Sequence, residues 1–294
     1  MISSPRAAAT VVVMRDSLAG PPEVFLLKRH GQASFMGGAH VFPGGAVDPS
    51  DSSPDLAGAC GENALENLGH LCSEVGASAA TAILVCAARE VFEESGLLLA
   101  YGSRSDASRD ALVDLNGDFA VSAAAARQKL IAGQGSFAAL VSSHGLVLAI
   151  DRLAYFAHWI TPEIEPKRFD ARFFMAVAPR DQHAGHDRAE TTASVWLSPA
   201  AAIDCYEAGE IVLAPPTLVV LDRLAHFDSA AAAFAALRAT AAVPPVMPKL
   251  LAAASSIVLL LPGDPEYGDG HVAAVAGEPV RIELCDRKWR LLRA

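Results

Sequence analysis

The chain has 294 residues, of which 52% are hydrophobic and 19% are charged, and its formal net charge is −10 at pH 7. This length is enough to bury a substantial core, and the acidic balance argues against nucleic-acid binding. No apolar run reaches the roughly 18 residues that a membrane-spanning helix needs. Five cysteines without a C-x-x-C pair are typical of a reducing compartment, so we expect a cytoplasmic protein.

The first third of the chain predicts two strands, a turn and a helix. Residues 8–14 and 24–28 have strand patterns, and a Gly-Pro-Pro turn joins them. A Gly-rich turn follows, then residues 52–76, which begin polar and are predicted to be partly helical. The Ala-rich run 77–88 predicts a helix that continues through residues 89–95 and stops at Gly96.

Strands and helices alternate in the remaining two thirds. Strands are predicted at 97–101, 153–160, 172–178 and 192–197, helices within 106–148, 198–209 and 216–238, and strands with turns over 255–294. This interleaving predicts the α/β class, with a layered core.

The end of the predicted helix carries three clustered acids. Because residues three and four apart share one face of a helix, Glu90 and Glu94 stack one turn apart, with Glu93 beside them. Such a face is usually solvated, with Arg89 as a charge partner. Three repelling carboxylates gain stability when a cation lies between them, and oxygen ligands of this kind suit Mg²⁺ or Mn²⁺.

Residues 89–97 (REVFEESGL) fit the second half of the Nudix signature, R-E-U-x-E-E-x-G-U, in which U is aliphatic. The first half, G-x5-E-x7-R, is matched at Gly45, with Asp51 in place of the usual Glu. Thirty-seven residues separate Asp51 from Arg89. About 30 residues are therefore inserted inside the motif, which a surface loop tolerates at small entropic cost.

Several segments resemble one Nudix subgroup, that of the peroxisomal coenzyme A diphosphatases. The segments are 31–51, the interrupted motif, 159–162, 167–174 and 259–264. The resemblance implies a Nudix α/β/α sandwich with a mixed central sheet, and a metal-dependent diphosphatase of coenzyme A or acyl-coenzyme A. ADP-ribose or NADH is the alternative substrate. A non-catalytic Nudix-fold nucleotide sensor is the alternative of another class.

The candidate site residues follow from charge and from the resemblance. We expect Glu90, Glu93 and Glu94 to bind metal, aided by a backbone carbonyl at Gly44. The resemblance implies that Arg89 orients a motif carboxylate, that Asp51 supports it, and that Glu190 is a ligand or general base. We assign catalysis to Glu93, Glu190 and Arg89, with Glu163 and Glu165 as rivals of Glu190. The local bases that we assign to substrate binding are Arg29, Lys167, Arg168 and Arg172.

The expected organisation is a Nudix domain over 1–240 with a C-terminal extension, 241–294, packed on it. The domain includes an insertion at about 52–76 and a helical cap at about 106–148. Because the insertion interrupts a motif whose halves must meet, we expect it to contact the substrate away from the diphosphate. The expected partner is a small nucleotide-linked diphosphate, without nucleic acid or membrane, and a homodimer is left open.

Overall fold

The computed structural model describes residues 3–32, 36–61, 65–102, 111–187, 189–252 and 257–294. Positions 62–64 of the predicted insertion and 106–110 of the predicted cap lie outside the described residues. The helices are α1 (Pro54–Gly58), α2 (Gly69–Val75), α3 (Ala77–Ser95), α4 (Gly117–Ile131), α5 (Phe137–Ser143), α6 (Pro199–Ala208), α7 (Pro215–Leu224) and α8 (Ala230–Arg238). The strands are β1 (Arg6–Arg15), β2 (Glu23–Arg29), β3 (His40–Val41), β4 (Gly44–Ala46), β5 (Ala100–Tyr101), β6 (Val147–Leu148), β7 (Ala154–Ile160), β8 (Phe169–Val177), β9 (Thr191–Leu197), β10 (Pro245–Val246), β11 (Lys249–Ala252), β12 (Ile257–Leu260), β13 (Pro279–Cys285) and β14 (Lys288–Arg293).

The central sheet is mixed. Among the described residues its main path runs β10-β7-β8-β1-β2-β3, with β4 paired to β1 and β9 paired to β2. Strands β1 and β8 are parallel, whereas β1 pairs antiparallel with both β2 and β4. The parallel pair places the start of β8 beside the start of β1, with Arg6 opposite Phe169.

Both faces of the sheet are covered, because apolar side chains of β1 alternate between them. Val11 and Val13 pack with the α3 side of the core. Val12 and Met14 pack on the opposite face with residues of α6, α7 and α8. Helices on both faces of a mixed sheet confirm the expected α/β/α sandwich.

The C-terminal strands form a second sheet, in the order β11-β12-β13-β14, with every pairing antiparallel. Leu261 and Ile282 from this region are buried in the same core as Leu218 and Leu221 of α7. The Tyr206 hydroxyl of α6 also contacts the backbone of Trp289. The C-terminal sheet therefore packs against the helical layer on that face.

Two predicted elements are corrected by the structure. The single helix predicted at 216–238 is two helices, α7 and α8. The second begins at Ser229, whose hydroxyl accepts from the Ala232 amide, while Asp16 from the end of β1 accepts from the Ala230 amide at 2.7 Å. The strand predicted at 97–101 is reduced to Ala100–Tyr101, which pairs with β6 at the end of the predicted cap.

The insertion is attached to the central sheet through Glu74 at the end of α2. Its carboxylate accepts from Arg172 at 2.5 Å and from the Tyr155 hydroxyl at 3.1 Å, and lies 3.4 Å from the His158 ring. Asp170 completes this network by contacting both His158 and Arg172. The insertion thus packs on strands β7 and β8 through Glu74, a partly exposed carboxylate whose partners Arg172 and His158 are buried.

No single described helix is long and apolar enough to cross a membrane. Helices α2 and α3 meet the length and composition criteria only as a pair, and they are bent by 116° relative to each other. Most of α3 is buried in the core of the protein.

We expect Glu74→Ala to lower the free energy of unfolding by about 2 kcal/mol, because it leaves the buried Arg172 guanidinium without its closest acceptor. Urea denaturation measures this change. The matched control is Glu66→Ala, at an exposed position of the same insertion. Equal unfolding free energies for the two variants would show that the Glu74 network does not hold the insertion.

Candidate active site

Helix α3 presents the acids of the signature at its C-terminal end. Its buried residues run through almost the whole helix, from Ala80 to Ser95. Gly96 ends it in the left-handed conformation, with φ of 79°, and its amide donates to the Phe92 carbonyl. Both predicted bounds of this helix are confirmed, and the three glutamates occupy its last turns.

Strand β4 lies directly against Glu90 and Glu94. A Cβ atom on Gly45 would stand 2.4 Å from Oε1 of Glu90, so a side chain there would displace the carboxylate. The Gly44 amide donates to Oε2 of Glu94 at 3.0 Å. The Gly-Gly pair is therefore needed for close approach of backbone to acids. It achieves this as a strand paired to β1, not as the tight turn that its sequence predicts.

Arg89 joins the two halves of the interrupted motif. Its guanidinium donates from Nε and Nη2 to the two Asp51 oxygens, at 2.7 and 2.9 Å. Its Nη1 donates to Glu90 at 2.8 Å and to Glu93 at 3.3 Å. The Asp51 side chain is fully buried, so this bidentate pair is shielded from water and geometrically specific. Residues 38 positions apart in the sequence thus meet behind the acids.

Burial changes the protonation of the acids. Burial raises the pKa of Glu90 to about 7, although the Arg89 charge opposes the shift. Burial and the neighbouring Glu90 charge raise the pKa of Glu94 well above its ordinary value, while the Gly44 amide acts in the opposite sense. Burial also raises the pKa of Glu93. The main cause of each pKa shift is the loss of solvation that burial imposes on a charged carboxylate.

The acids open into a large cavity of about 1100 Å³. Arg89, Glu90 and Glu93 line it, and so does Gly44 of β4. Glu94 is 5% exposed and lies behind them. Three further predicted site residues reach the same cavity from other elements, namely Arg29, Lys167 and Glu190. A cavity with acids and bases on facing elements can hold an anionic ligand together with cations.

Glu190 is exposed on the loop before β9, and its charge adds to the upward pKa shifts of Glu93 and Glu94. Asp187 holds this loop by accepting from the Ala189, Glu190 and Thr191 amides. Sequence reasoning missed Asp187. Its signal is an Asp followed within four residues by Thr at the start of a strand, the pattern of a side chain that accepts from nearby backbone amides.

Arg127 of α4 is a second residue that the sequence analysis missed. It donates to the Glu93 and Glu94 carbonyls at 2.9 and 3.0 Å, and to the Gly185 carbonyl at 2.8 Å. Carbonyls at the end of a helix lack intrahelical partners, and a cation there also complements the helix dipole. Arg127 therefore ties the acidic end of α3 to the segment that leads to Glu190. No local sequence pattern marks it, because it lies within an Ala-rich helix.

Two bases that were assigned to substrate have internal partners instead. Arg168 is buried and donates to the Thr161 and Ser3 carbonyls, at 3.0 and 2.8 Å. Arg172 is buried in the network of Glu74 and Asp170. Neither is among the cavity-lining residues. We therefore remove both from the substrate site, since Arg168 donates to backbone carbonyls and Arg172 pairs with internal carboxylates.

The expected role of the insertion is also corrected by the structure. Among its described residues, 52–61 and 65–76, none lines the cavity. Its contacts are with β7, β8 and the core beside α3. The expectation that the insertion contacts the substrate is therefore not supported by where its described residues lie.

The chemistry of the donors fits a hard divalent cation. Glu90 and Glu94 are buried carboxylates whose charge is only partly offset, and oxygen is the ligand type that Mg²⁺ and Mn²⁺ prefer. Within the described part of the chain, no three His, Cys, Asp or Glu side chains are already arranged to hold a metal ion. Arg89 donates to Oε1 of Glu90 and to Oε1 of Glu93, so cation binding can use the second oxygen of each carboxylate while Arg89 holds the first.

Comparison with known proteins agrees with this geometry. The family model described as the NUDT19 Nudix domain matches residues 69–224, more than half of the chain. The chain is 32% identical over 240 residues to the acyl-coenzyme A diphosphatase NUDT19 of Gallus gallus, covering 70% of this chain and 62% of that protein. It is 28% identical over 266 residues to the Homo sapiens protein of the same name, covering 76% and 69%.

A crystal structure of a NUDIX hydrolase from Alicyclobacillus acidocaldarius is also similar. It matches with a TM-score of 0.63 and 27% identity, over 83% of this chain and 100% of that one. The chain spans less than two thirds of the length of the Gallus gallus relative. The match of the family model over α2 to α7 includes the acidic helix α3, and the chain therefore belongs to the Nudix hydrolase family, in the branch described by the NUDT19 Nudix domain.

Proposed function

We propose that this protein is a metal-dependent diphosphatase that cleaves the diphosphate of coenzyme A or acyl-coenzyme A. One observation carries the reaction class: Glu90, Glu93 and Glu190 face one cavity together with Arg29 and Lys167. Carboxylates alone would repel a diphosphate, and bases alone would bind without hydrolysing it. Their combination suits phosphoryl chemistry with bound cations.

The substrate class is supported by the relatives, which are named acyl-coenzyme A diphosphatases. ADP-ribose and NADH contain the same kind of diphosphate link and stay as alternatives. A non-catalytic sensor is disfavoured because the chain retains Arg89, Glu90, Glu93 and Glu94. A protein that only binds a nucleotide can lose these residues and still function, whereas a hydrolase needs them for catalysis.

We assign cation binding to Glu90, Glu93 and Glu94, with backbone oxygen from the Gly44–Ala46 strand, and Mg²⁺ or Mn²⁺ as the ion. Such an ion would offset the charge of the diphosphate and make water more acidic. Arg89 keeps the glutamates oriented while Asp51 neutralises it from behind. Arg29, whose Nε lacks a hydrogen-bond partner in the described structure, is free to donate to a phosphate oxygen.

Glu190 is our candidate for the general base. Its carboxylate is exposed, it borders the cavity, and the Asp187 hydrogen bonds hold its backbone. Glu165 borders the same cavity from the loop before β8 and is the rival. We also propose a cytoplasmic location, and a homodimer is left open.

A substrate panel tests the proposed reaction. We expect hydrolysis of coenzyme A and acyl-coenzyme A, with Mg²⁺ or Mn²⁺ present, to exceed hydrolysis of ADP-ribose and NADH. Mass spectrometry of the products identifies the bond that is cleaved. Faster turnover of ADP-ribose or NADH would show that one of these compounds, and not coenzyme A or acyl-coenzyme A, is the preferred substrate. Binding of all four compounds without turnover would favour the sensor.

Glu90→Gln should remove most activity and change the pH dependence of stability. Because the folded pKa of Glu90 is about 7 and its ordinary value is 4.5, the folded state binds more protons between these values. Metal-free wild-type protein should thus lose thermal stability as pH rises through this window, and Glu90→Gln should lose less. Thermal melts with a chelator measure this, with the exposed Glu207→Gln as control. Identical pH profiles for wild type and Glu90→Gln would contradict the burial argument.

Glu190→Gln should lower kcat by roughly 100-fold, in the range of general-base catalysis. The control is Glu165→Gln, which removes a charge from the other side of the same cavity. Steady-state kinetics with saturating Mg²⁺ distinguishes them. A silent Glu190→Gln together with a defective Glu165→Gln or Glu163→Gln would move the base to the earlier loop.

A further inference from the structure

The cavity has an apolar side formed by the C-terminal sheet. Leu250 of β11, Ile257 and Leu259 of β12, and Trp289 of β14 line the same cavity as the acids of α3. We call Leu250, Ile257 and Leu259 the apolar face. These hydrocarbon side chains have no role in binding cations or phosphate.

The apolar face follows from strand register. Leu250 pairs directly with Leu259, and Ile257 lies two residues before Leu259, so all three point to one side of the sheet. The intervening residues, Val258 and Leu260, point to the other side and form a separate small core with Tyr267. The sheet is therefore apolar on both sides, although only one side is needed for its own core.

The apolar face is only partly covered by the protein. Leu259 packs against the main core, whereas Leu250 is 43% and Ile257 is 47% exposed. Exposed apolar side chains that border a cavity are typical of ligand sites, which combine hydrophobic walls with a few polar groups. The apolar face lines the same cavity as Glu90, Glu93 and Arg29.

We infer that the apolar face is a specificity site that binds the acyl chain of an acyl-coenzyme A, while the diphosphate lies at the acids. The inference rests on the proposed function and deepens it. The ligand that matches this cavity has a charged diphosphate at one end and a hydrocarbon chain at the other. ADP-ribose and NADH have no hydrocarbon chain and would leave the apolar face in water.

The test compares substrates of increasing chain length. The ratio of kcat/KM for a long-chain acyl-coenzyme A to kcat/KM for free coenzyme A should exceed one in the wild type. It should fall about tenfold in the double variant Leu250→Thr/Ile257→Thr, since hydrophobic pockets discriminate single methylene groups by at least that factor. Threonine is β-branched, a shape that strands favour. The substituted positions are half exposed, which limits the cost to folding.

Leu292→Thr is the matched control. Leu292 is 40% exposed on β14 of the same sheet and is not a cavity-lining residue. The control should keep the wild-type ratio. An unchanged ratio in the double variant, or an equal fall in the control, would overturn the inference. A change of oligomeric state in the double variant, measured by light scattering, would also overturn it, because the face would then be a contact between copies.

A binding measurement separates this inference from the proposed reaction. S-octylpantetheine carries an apolar arm but no diphosphate, so its binding does not depend on hydrolysis. Calorimetry should give a Kd about tenfold weaker for the double variant than for the wild type and Leu292→Thr. If no coenzyme A compound is hydrolysed, this result would still support the apolar face while the proposed function fails. Equal affinities for all three proteins would overturn the inference.

Discussion

The buried pair of Arg89 and Asp51 is the interaction on which the active-site geometry depends. Arg89 donates hydrogen bonds to both Asp51 oxygens, and its third guanidinium nitrogen, Nη1, donates to Glu90 and Glu93. Removing one member of such a pair leaves an uncompensated buried charge, which costs several kcal/mol. The chain can therefore tolerate a long insertion between Asp51 and Arg89 as long as the two side chains still meet. The two halves of the motif therefore meet in the folded protein although the insertion separates them in sequence.

The acids themselves destabilise the fold locally. Glu90 and Glu94 are buried beside the Gly44–Ala46 strand, and their raised pKa values express the free energy of holding charge there. The rest of α3 offsets this cost, because its Ala-rich face packs against β1 and β2. Arg127 fixes the acidic end by binding the Glu93 and Glu94 carbonyls. Sites that favour function over local stability are expected where a ligand supplies the missing charge.

The features that the sequence predicts correctly are those set by residues close together in the chain. The helix of the acids, its stop at Gly96 and most strands follow from periodicity and glycine. The role of Arg172 could not be read, because a charged residue in a strand pattern does not reveal whether its partner is a ligand or Glu74, 98 residues away. The break between α7 and α8 has a local signal that the prediction missed, the N-cap Ser229, together with a distant contact that no pattern shows. Alanine keeps the pattern helical, and the amide of Ala230 is bonded by Asp16 from 214 residues away.

The two additions to the core have different physical roles. The insertion brings a charge, Glu74, to buried partners on β7 and β8, and its described residues lie outside the cavity. The C-terminal sheet brings apolar side chains to the cavity and buries its other face in a core of its own. Proximity in sequence to the acids thus does not predict proximity to the ligand. The described part of the segment between the two halves of the motif packs on β7 and β8, whereas Leu250, Ile257, Leu259 and Trp289 of the C-terminal sheet line the cavity.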